Sequence, residues 1–354
     1  PDDALAAGLV DTFESNGLRI FGPTKAGAQL ESSKVFAKDF MERHGIPTAR
    51  SGSFSDSSEA QRFAQKMSYP IVVKADGLAL GKGVIIAENN WQAALAVHEI
   101  MDARKFGDAG RRAVIEEFLV GEECSIHALV DGSSYLLFPG AQDHKRALDG
   151  DLGSNTGGMG TFSPPAKLLT PEMETRIRRE ILDPFLAGLA KDGIHYRGML
   201  FPGLMIGADG PKVLEFNCRF GDPETQVLLP RLEGDLLDLL EATIDGRLAQ
   251  TEVRWSPQSA VCVVMASGGY PGSYTKGKVI EGLEAAGALA TVFHAGTKLD
   301  DGGRFITAGG RVLGVTALAD DLTSTRTRAY EAVGMIHFED AHFRRDIAVK
   351  GLSA

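Results

Sequence analysis

Apolar and polar positions repeat with two periods along this chain. Residues 33–44, SKVFAKDFMERH, have the pattern of an amphipathic helix, and Gly45 with Pro47 beyond predicts its stop. A helix is predicted over 5–15, a short strand at LRIFG, and a Ser-rich turn with a helix over 51–67. YPIVVKADGLALGKGVIIAE reads as strand, glycine loop, strand; 91–101 as helix; and AVIEEFLVGEECSIHALVDG as two strands around a turn. Residues 140–165 show no periodicity and read as one long loop, the kind that is usually functional or disordered. A long helix is expected over 170–191, with Thr170 as N-cap and Pro171 in its first turn. Strands near 198–206 and 212–218 and a helix over 232–244 follow. A strand-rich segment from Ala260 closes with a helix over 322–336.

The stretch VLEFNCRFGDPETQ (213–226) carries many charges and amides directly after a buried-looking strand. Strict alternation puts Val213, Glu215 and Asn217 on one face and Leu214, Phe216 and Cys218 on the other. A carboxylate and an amide oxygen one strand repeat apart suit a hard cation such as Mg²⁺. The same pattern also describes a strand whose polar face pairs with neighbouring Lys or Arg.

Length and charge narrow the picture. A chain of 354 residues is long enough for two or three domains, and its net charge of −10 argues against affinity built on phosphate neutralisation along a nucleic acid. No apolar run has the length of a membrane span, and the first residues carry no signal-peptide core. Cys124, Cys218 and Cys262 are widely spaced, which fits buried reduced thiols in a cytoplasmic protein. The histidines form no HxH or HExxH spacing, which disfavours zinc, and His144 suits a proton shuttle or a structural hydrogen bond equally.

Phosphate chemistry enters with VVKADGLALGKGVII. Lys74 ends an apolar strand, and Gly77, Gly81, Lys82 and Gly83 follow. The spacing is not that of a Walker A loop, and the next element reads as a strand rather than a helix. A glycine-rich strand–turn–strand can fold over a triphosphate as a flap, or it is an ordinary hairpin with solvated lysines. Downstream, IEEFLVGEE offers backbone and acids that could read an adenine edge and ribose hydroxyls.

Taken in order, FGPTKAGAQLESSKVFAKDFM, VVKADGLALGKGV, IEEFLVGEE, AQDHKRALDGDLGSNTGGMG, LEFNCRFGDPETQ and ASGGYPGSY closely resemble the phosphoribosylamine–glycine ligase (glycinamide ribonucleotide synthetase) family of purine biosynthesis. The resemblance implies a multi-domain α/β (α+β) architecture with an ATP-grasp fold. It would comprise a partial dinucleotide-fold-like segment (1–31), an ATP-grasp core (32–52 and 124–257), a lid (53–123) and a small β-rich C-terminal domain (258–354). Pro1 falls inside the family's first domain, so a longer polypeptide or a truncation is expected. MLFPGLMI carries no acid, so a two-metal protein cage is not expected.

The reaction implied is ATP + glycine + 5-phosphoribosylamine → glycinamide ribonucleotide + ADP + phosphate, with Mg²⁺ or Mn²⁺. The resemblance assigns the nucleotide phosphates to Lys38, Lys74 and the loop bearing Gly77, Gly81, Lys82 and Gly83. Adenine and ribose fall to Glu116, Glu117, Phe118, Leu119 and Glu123. Glu215 and Asn217 are the expected metal ligands, and Arg219 the group that stabilises phosphoryl oxygens. Asp143, Lys145, Arg146, Asn155, Thr156, Gly157, Gly158 and Asp222 are expected to line the acceptor region, Asp143 toward the glycine ammonium and Lys145 or Arg146 toward a substrate phosphate. Among these, Lys145, Arg146 and Asp222 also admit a reading as exposed loop charges or helix caps. The expected partners are small molecules, with no nucleic acid, no membrane and a monomeric state. Rival readings are another ATP-grasp ligase, of the biotin-carboxylase or formate-using type, and a non-catalytic nucleotide-binding module.

Overall fold

The computed structural model describes residues 1–78 and 83–352, and the chain forms two compact units. The first comprises residues 1–138, 170–220 and 236–252, and the second 139–169, 221–235 and 253–354.

Two antiparallel sheets organise the first unit. One has the strand order Ser51–Phe54, Ala113–Glu117, Ile71–Ala75, Val84–Ala87. Its inner face is apolar because Ile71, Val73 and Ala75 alternate into a core with Ala113, Ile115, Val97 and Ile100. Each fully buried Ile or Val there contributes about 1.5–3 kcal/mol. The same period of two turns Lys74 and Glu116 to the opposite face. Val72 lies opposite Glu116 and Lys74 opposite Val114, so the two charged residues are diagonal neighbours.

In the other sheet, Gly198–Gly207 pairs along one edge with Gly210–Asn217 and along the other with Glu122–Ser125 and Ala128–Val130, the latter continuing to Tyr135–Leu137. The Lys34–Arg43 helix starts where expected, Ser33 accepting from Phe36 N at 3.1 Å. LRIFG is not a strand: among the described residues no strand pairs with it, and the Leu18 and Gly22 N–H groups donate instead to Phe13 O at 3.0 Å and Arg197 O at 2.9 Å.

The second unit is built on a sheet of order Thr291–His294, Arg311–Ala319, Ser259–Ser267, Gly160–Ser163, Gln142–Asp143, with Ala341–His342 also against Ser259–Ser267. Val261, Val263, Val312, Val315, Ala329 and Val333 form its core, the last two from the Leu322–Met335 helix. The segment expected as a long loop therefore holds structure. Arg146–Leu148 and Leu152–Asn155 form a hairpin, and Gly160–Ser163 is a fully buried strand in register with 260–263. Its pairing partner lies about a hundred residues downstream, and GTFS carries no alternation to announce it.

Thr170 caps the following helix by accepting from Met173 N at 3.2 Å, with Pro171 in the first turn. The helix expected over 232–244 begins only at Leu236, because Leu232–Glu233 pairs with Arg254–Trp255. All three cysteines are free and buried, and among the described residues no helix is long and apolar enough to cross a membrane.

Candidate functional site

In the first unit, two lysines share one carboxylate. Lys38 Nζ lies 3.1 Å from Glu116 Oε1, and Lys74 Nζ lies 2.9 Å from Glu116 Oε2, with all three side chains under one-tenth exposed. Lys38 also donates to Thr48 Oγ1 at 2.7 Å and Ala49 O at 3.2 Å, while Thr48 Oγ1 donates to Val213 O at 2.6 Å. Burial pulls the Lys38 ammonium down to about 8, the Glu116 carboxylate only partly opposing it. Two ammonium groups against one carboxylate leave surplus positive charge in a poorly solvated place, which favours an incoming anion. Glu116 was expected to face adenine and ribose. Its side chain is instead turned to the lysines, because strand alternation puts it on their face.

Lys74 has one more partner, and it explains the local shape. Leu204 pairs with Val213 but Gly203 with Glu215, so Leu214 is an extra residue, a β-bulge. Its carbonyl accepts from Lys74 Nζ at 3.2 Å. The bulge also corrects the expected faces. Pro202 and Leu204 lie opposite Phe216 and Val213, while Phe201, Gly203 and Met205 lie opposite Asn217, Glu215 and Lys212. Val213 therefore shares the core face with Phe216, and both are essentially fully buried. Glu215 and Asn217 keep their common face with Lys212. Glu123, opposite Met205 on the other edge, joins that face.

Asn217 Nδ2 donates to Phe201 O at 3.2 Å, and its Oδ1 accepts from Arg219 at 3.3 Å. Arg219 also meets Glu31 Oε1 through Nε at 3.2 Å. One carboxylate and one amide oxygen on a strand face fit a divalent cation that keeps waters and phosphate oxygens in its remaining positions. Among the described residues no cluster of three or more His, Cys, Asp or Glu could hold a metal by itself.

Around the glycine loop, Asp76 ties its first residues to the Lys34–Arg43 helix. It accepts from Ser33 Oγ at 3.0 Å, Val35 N at 3.1 Å and Arg112 Nε at 2.7 Å. A carboxylate thus already sits at that helix N-terminus. Lys34 donates to Gly77 O at 3.0 Å, and burial lowers its ammonium's proton affinity. Gly77 has φ 138°, and a Cβ there would lie 2.9 Å from Ala109 Cβ, so a side chain is excluded twice over. Gly83 O accepts from Ala75 N at 2.8 Å. Gly81 and Lys82 lie outside the described residues. Farther along, Glu117 accepts from Arg50 N at 3.0 Å, while Phe118 is exposed and Leu119 half-buried.

The second unit gathers the remaining expected residues around Arg311, which sequence reasoning missed. Arg311 NH1 donates to Gly157 O at 2.6 Å and Asp222 O at 2.9 Å, and NH2 meets Asp222 Oδ2 at 2.8 Å. Gly157 N donates to Tyr270 Oη at 3.1 Å. Gly158 has φ 108°, and a Cβ there would fall 2.4 Å from Pro223 Cδ and 2.8 Å from Asp143 Oδ1. Asp143, Gly157, Gly158 and Asp222 are thus brought together.

Thr156 N and Oγ1 donate to Lys145 O at 2.7 and 2.8 Å, which fixes the turn. Arg146 reaches back to Gly153 O at 2.8 Å, and Asn155 is exposed. His144 is fully buried with Nδ1 3.2 Å from Gly160 O, and burial with the Arg344 charge pulls it down to about 4. It is neutral at physiological pH, as a structural histidine would be.

Beyond Arg311, sequence reasoning missed Thr48, Lys34 and Glu31. Thr48 and Lys34 act through a hydroxyl and an ammonium that no spacing rule distinguishes from surface groups. Arg311 sits within GGRVLG, where only the fold reveals Asp222 beside it.

Comparison with known proteins identifies the family. Residues 32–225 match the phosphoribosylglycinamide synthetase ATP-grasp (A) domain and 260–350 the C domain of the same synthetase. Phosphoribosylamine–glycine ligase of Allochromatium vinosum is 53% identical over 100% of this chain and 82% of its own length; that of Pseudomonas aeruginosa is 49% identical, with the same coverages. The crystal structure of phosphoribosylamine–glycine ligase from Thermotoga maritima superposes with a TM-score of 0.85 at 37% identity, covering 92% of this chain and 81% of that one. The biotin carboxylase domain of Hydrogenobacter thermophilus 2-oxoglutarate carboxylase shares the fold, at a TM-score of 0.72 and 18% identity over 94% of this chain and 72% of that one. The chain belongs to the phosphoribosylglycinamide synthetase family, with its ATP-grasp fold and family-specific C domain.

Proposed function

We propose that this protein is a phosphoribosylamine–glycine ligase, joining glycine to 5-phosphoribosylamine with ATP to give glycinamide ribonucleotide, ADP and phosphate. The observation that carries the reading is the Lys38–Glu116–Lys74 cluster beside the bulged strand that bears Glu215 and Asn217. A glycine carboxylate is a poor acyl donor. Its oxygen therefore attacks the γ-phosphorus, the bond to ADP breaks, and glycyl phosphate forms. The ribosylamine nitrogen then attacks the glycyl carbon, phosphate leaves, and the amine gives up a proton. No protein nucleophile is needed, in keeping with three buried cysteines.

The chain's task is to place anions and neutralise charge that spreads over the transferring phosphoryl oxygens. Lys38 and Lys74 hold the nucleotide phosphates, together with the glycine-rich segment that begins at Gly77. Glu117, Phe118, Leu119 and Glu123 contact adenine and ribose. Arg219 stabilises phosphoryl and acyl-phosphate oxygens. A divalent cation, Mg²⁺ or Mn²⁺, would be held by Glu215 and Asn217 and would neutralise phosphate charge when bound. Asp143 takes the glycine ammonium, with Lys145, Arg146, Asp222 and the turn at 155–158 serving the acceptor. The free thiols suit a reducing compartment, and we place the enzyme in the cytoplasm.

The test is phosphate release by the purified enzyme with ATP, glycine and phosphoribosylamine. Release that requires both glycine and the amine supports the assignment. Equal release with bicarbonate or formate in place of glycine would overturn it.

A further inference from the structure

Glu31 stands near the end of the Lys25–Ser32 helix, and no role given above uses it. Its side chain is only 8% exposed, and its two oxygens have different partners. Oε2 accepts from Cys218 N at 2.8 Å, and Oε1 meets Arg219 Nε at 3.2 Å. The strand ladder ends at Asn217, so the next N–H is a backbone donor that needs an acceptor, and Glu31 supplies it. The same carboxylate then grips the guanidinium that follows. With Asn217 Oδ1 at 3.3 Å and Phe220 O at 3.2 Å as further acceptors, Arg219 is fixed on three sides while its side chain stays 37% exposed.

We infer that Glu31 is a positioning residue for the ligase reaction, holding the end of the metal-bearing strand and the Arg219 guanidinium in one geometry. This rests on the role proposed above for Arg219. A purely structural carboxylate here makes little physical sense. The backbone N–H asks only for a neutral acceptor, which a glutamine side chain offers. Burial raises the Glu31 carboxyl above its ordinary range, with Arg219 only partly opposing, so at neutral pH the charged form costs the fold stability. What the charge serves is the cation beside it, because a charge-assisted contact through Nε fixes the plane of the guanidinium. Besides Arg219, the charged groups that weigh most on this carboxyl are the acids Asp2 and Glu215, with Cys218 and Tyr196 also facing it.

The experiment is a double-mutant cycle on the intact enzyme, with Glu31→Gln, Arg219→Ala and the pair, reading kcat, KM for ATP and glycine, and thermal unfolding. Glu31→Gln is expected to lower kcat about tenfold, the scale of a weakened transition-state contact. KM for ATP should stay nearly unchanged and the unfolding temperature should be unchanged or higher. In the Arg219→Ala background the same substitution should cost nothing further, because its effect runs through the missing guanidinium. Losses that multiply in the double variant would overturn the inference, as would wild-type kcat in Glu31→Gln or a Glu31→Gln protein that does not fold. Near-normal kcat in Arg219→Ala alone is a separate result. It would remove the role of Arg219, and this inference with it.

Discussion

Lys74 Nζ sits 3.2 Å from the carbonyl oxygen of Leu214, a residue that the neighbouring strand skips in its pairing. The bulge therefore does two things at once. It turns Glu215 and Asn217 away from the core face that holds Val213 and Phe216, and it frees a carbonyl to anchor a buried ammonium. Lys74 and the Glu215/Asn217 pair come from different sheets, and this contact joins the two.

Replacing that lysine separates binding from folding. In Lys74→Met the stem's apolar packing is kept and Glu116 still has Lys38 as its counter-ion. We expect thermal unfolding close to wild type and ATP affinity lower by about a hundredfold, from ~3 kcal/mol of lost charge-assisted contact. Calorimetric titration with ATP checks this. Unchanged affinity would remove Lys74 from the phosphate site.

Lys38 sets an alkaline limit on nucleotide binding. Its ammonium is pulled down to about 8, so above that pH it loses the charge that a phosphate needs. The stability effect runs the other way. With a folded value below that of an ordinary lysine, the unfolded chain binds more protons between about 8 and the usual lysine range. This group's contribution to stability therefore rises with pH there. We expect kcat/KM for ATP to fall through pH 8 while the unfolding temperature shows no matching loss from this residue. Activity and stability declining together would point instead to general unfolding.

These two lysines mark how far the sequence could be read. The Lys34–Arg43 helix, the strand–glycine–strand at 71–87 and the Glu215/Asn217 pair were all legible, because periodicity and turn residues are local. The bulge was not. A single extra residue leaves the string VLEF looking like uninterrupted alternation, and only the pairing of 203 and 204 across the strand reveals it. Glu116 was assigned by its neighbours in IEEFLVGEE, whereas its side chain answers to lysines some 40 and 80 residues away. The buried strand Gly160–Ser163 and the Arg311–Asp222 pair were hidden for the same reason: each depends on contacts between distant segments.

Arg311 supplies a prediction in the second unit. Its guanidinium binds Gly157 O, Asp222 O and Asp222 Oδ2 together, a fork that lysine cannot reproduce. Arg311→Lys should loosen the turn against Asp222 and raise KM for glycine or phosphoribosylamine by about tenfold, from ~1.5 kcal/mol of lost bonding. KM for ATP, whose proposed contacts all lie in the first unit, should change little. A rise confined to ATP would contradict the placement of these residues in the acceptor region.

The central claim is that glycine is activated through its own carboxylate oxygen on a site that neutralises phosphoryl charge. The most direct measurement uses glycine labelled with ¹⁸O in its carboxylate, followed by mass analysis of the phosphate released during turnover with phosphoribosylamine. Formation and collapse of glycyl phosphate must carry one carboxylate oxygen into each phosphate, and the account predicts singly labelled product. Unlabelled phosphate, with glycinamide ribonucleotide still formed, would contradict it.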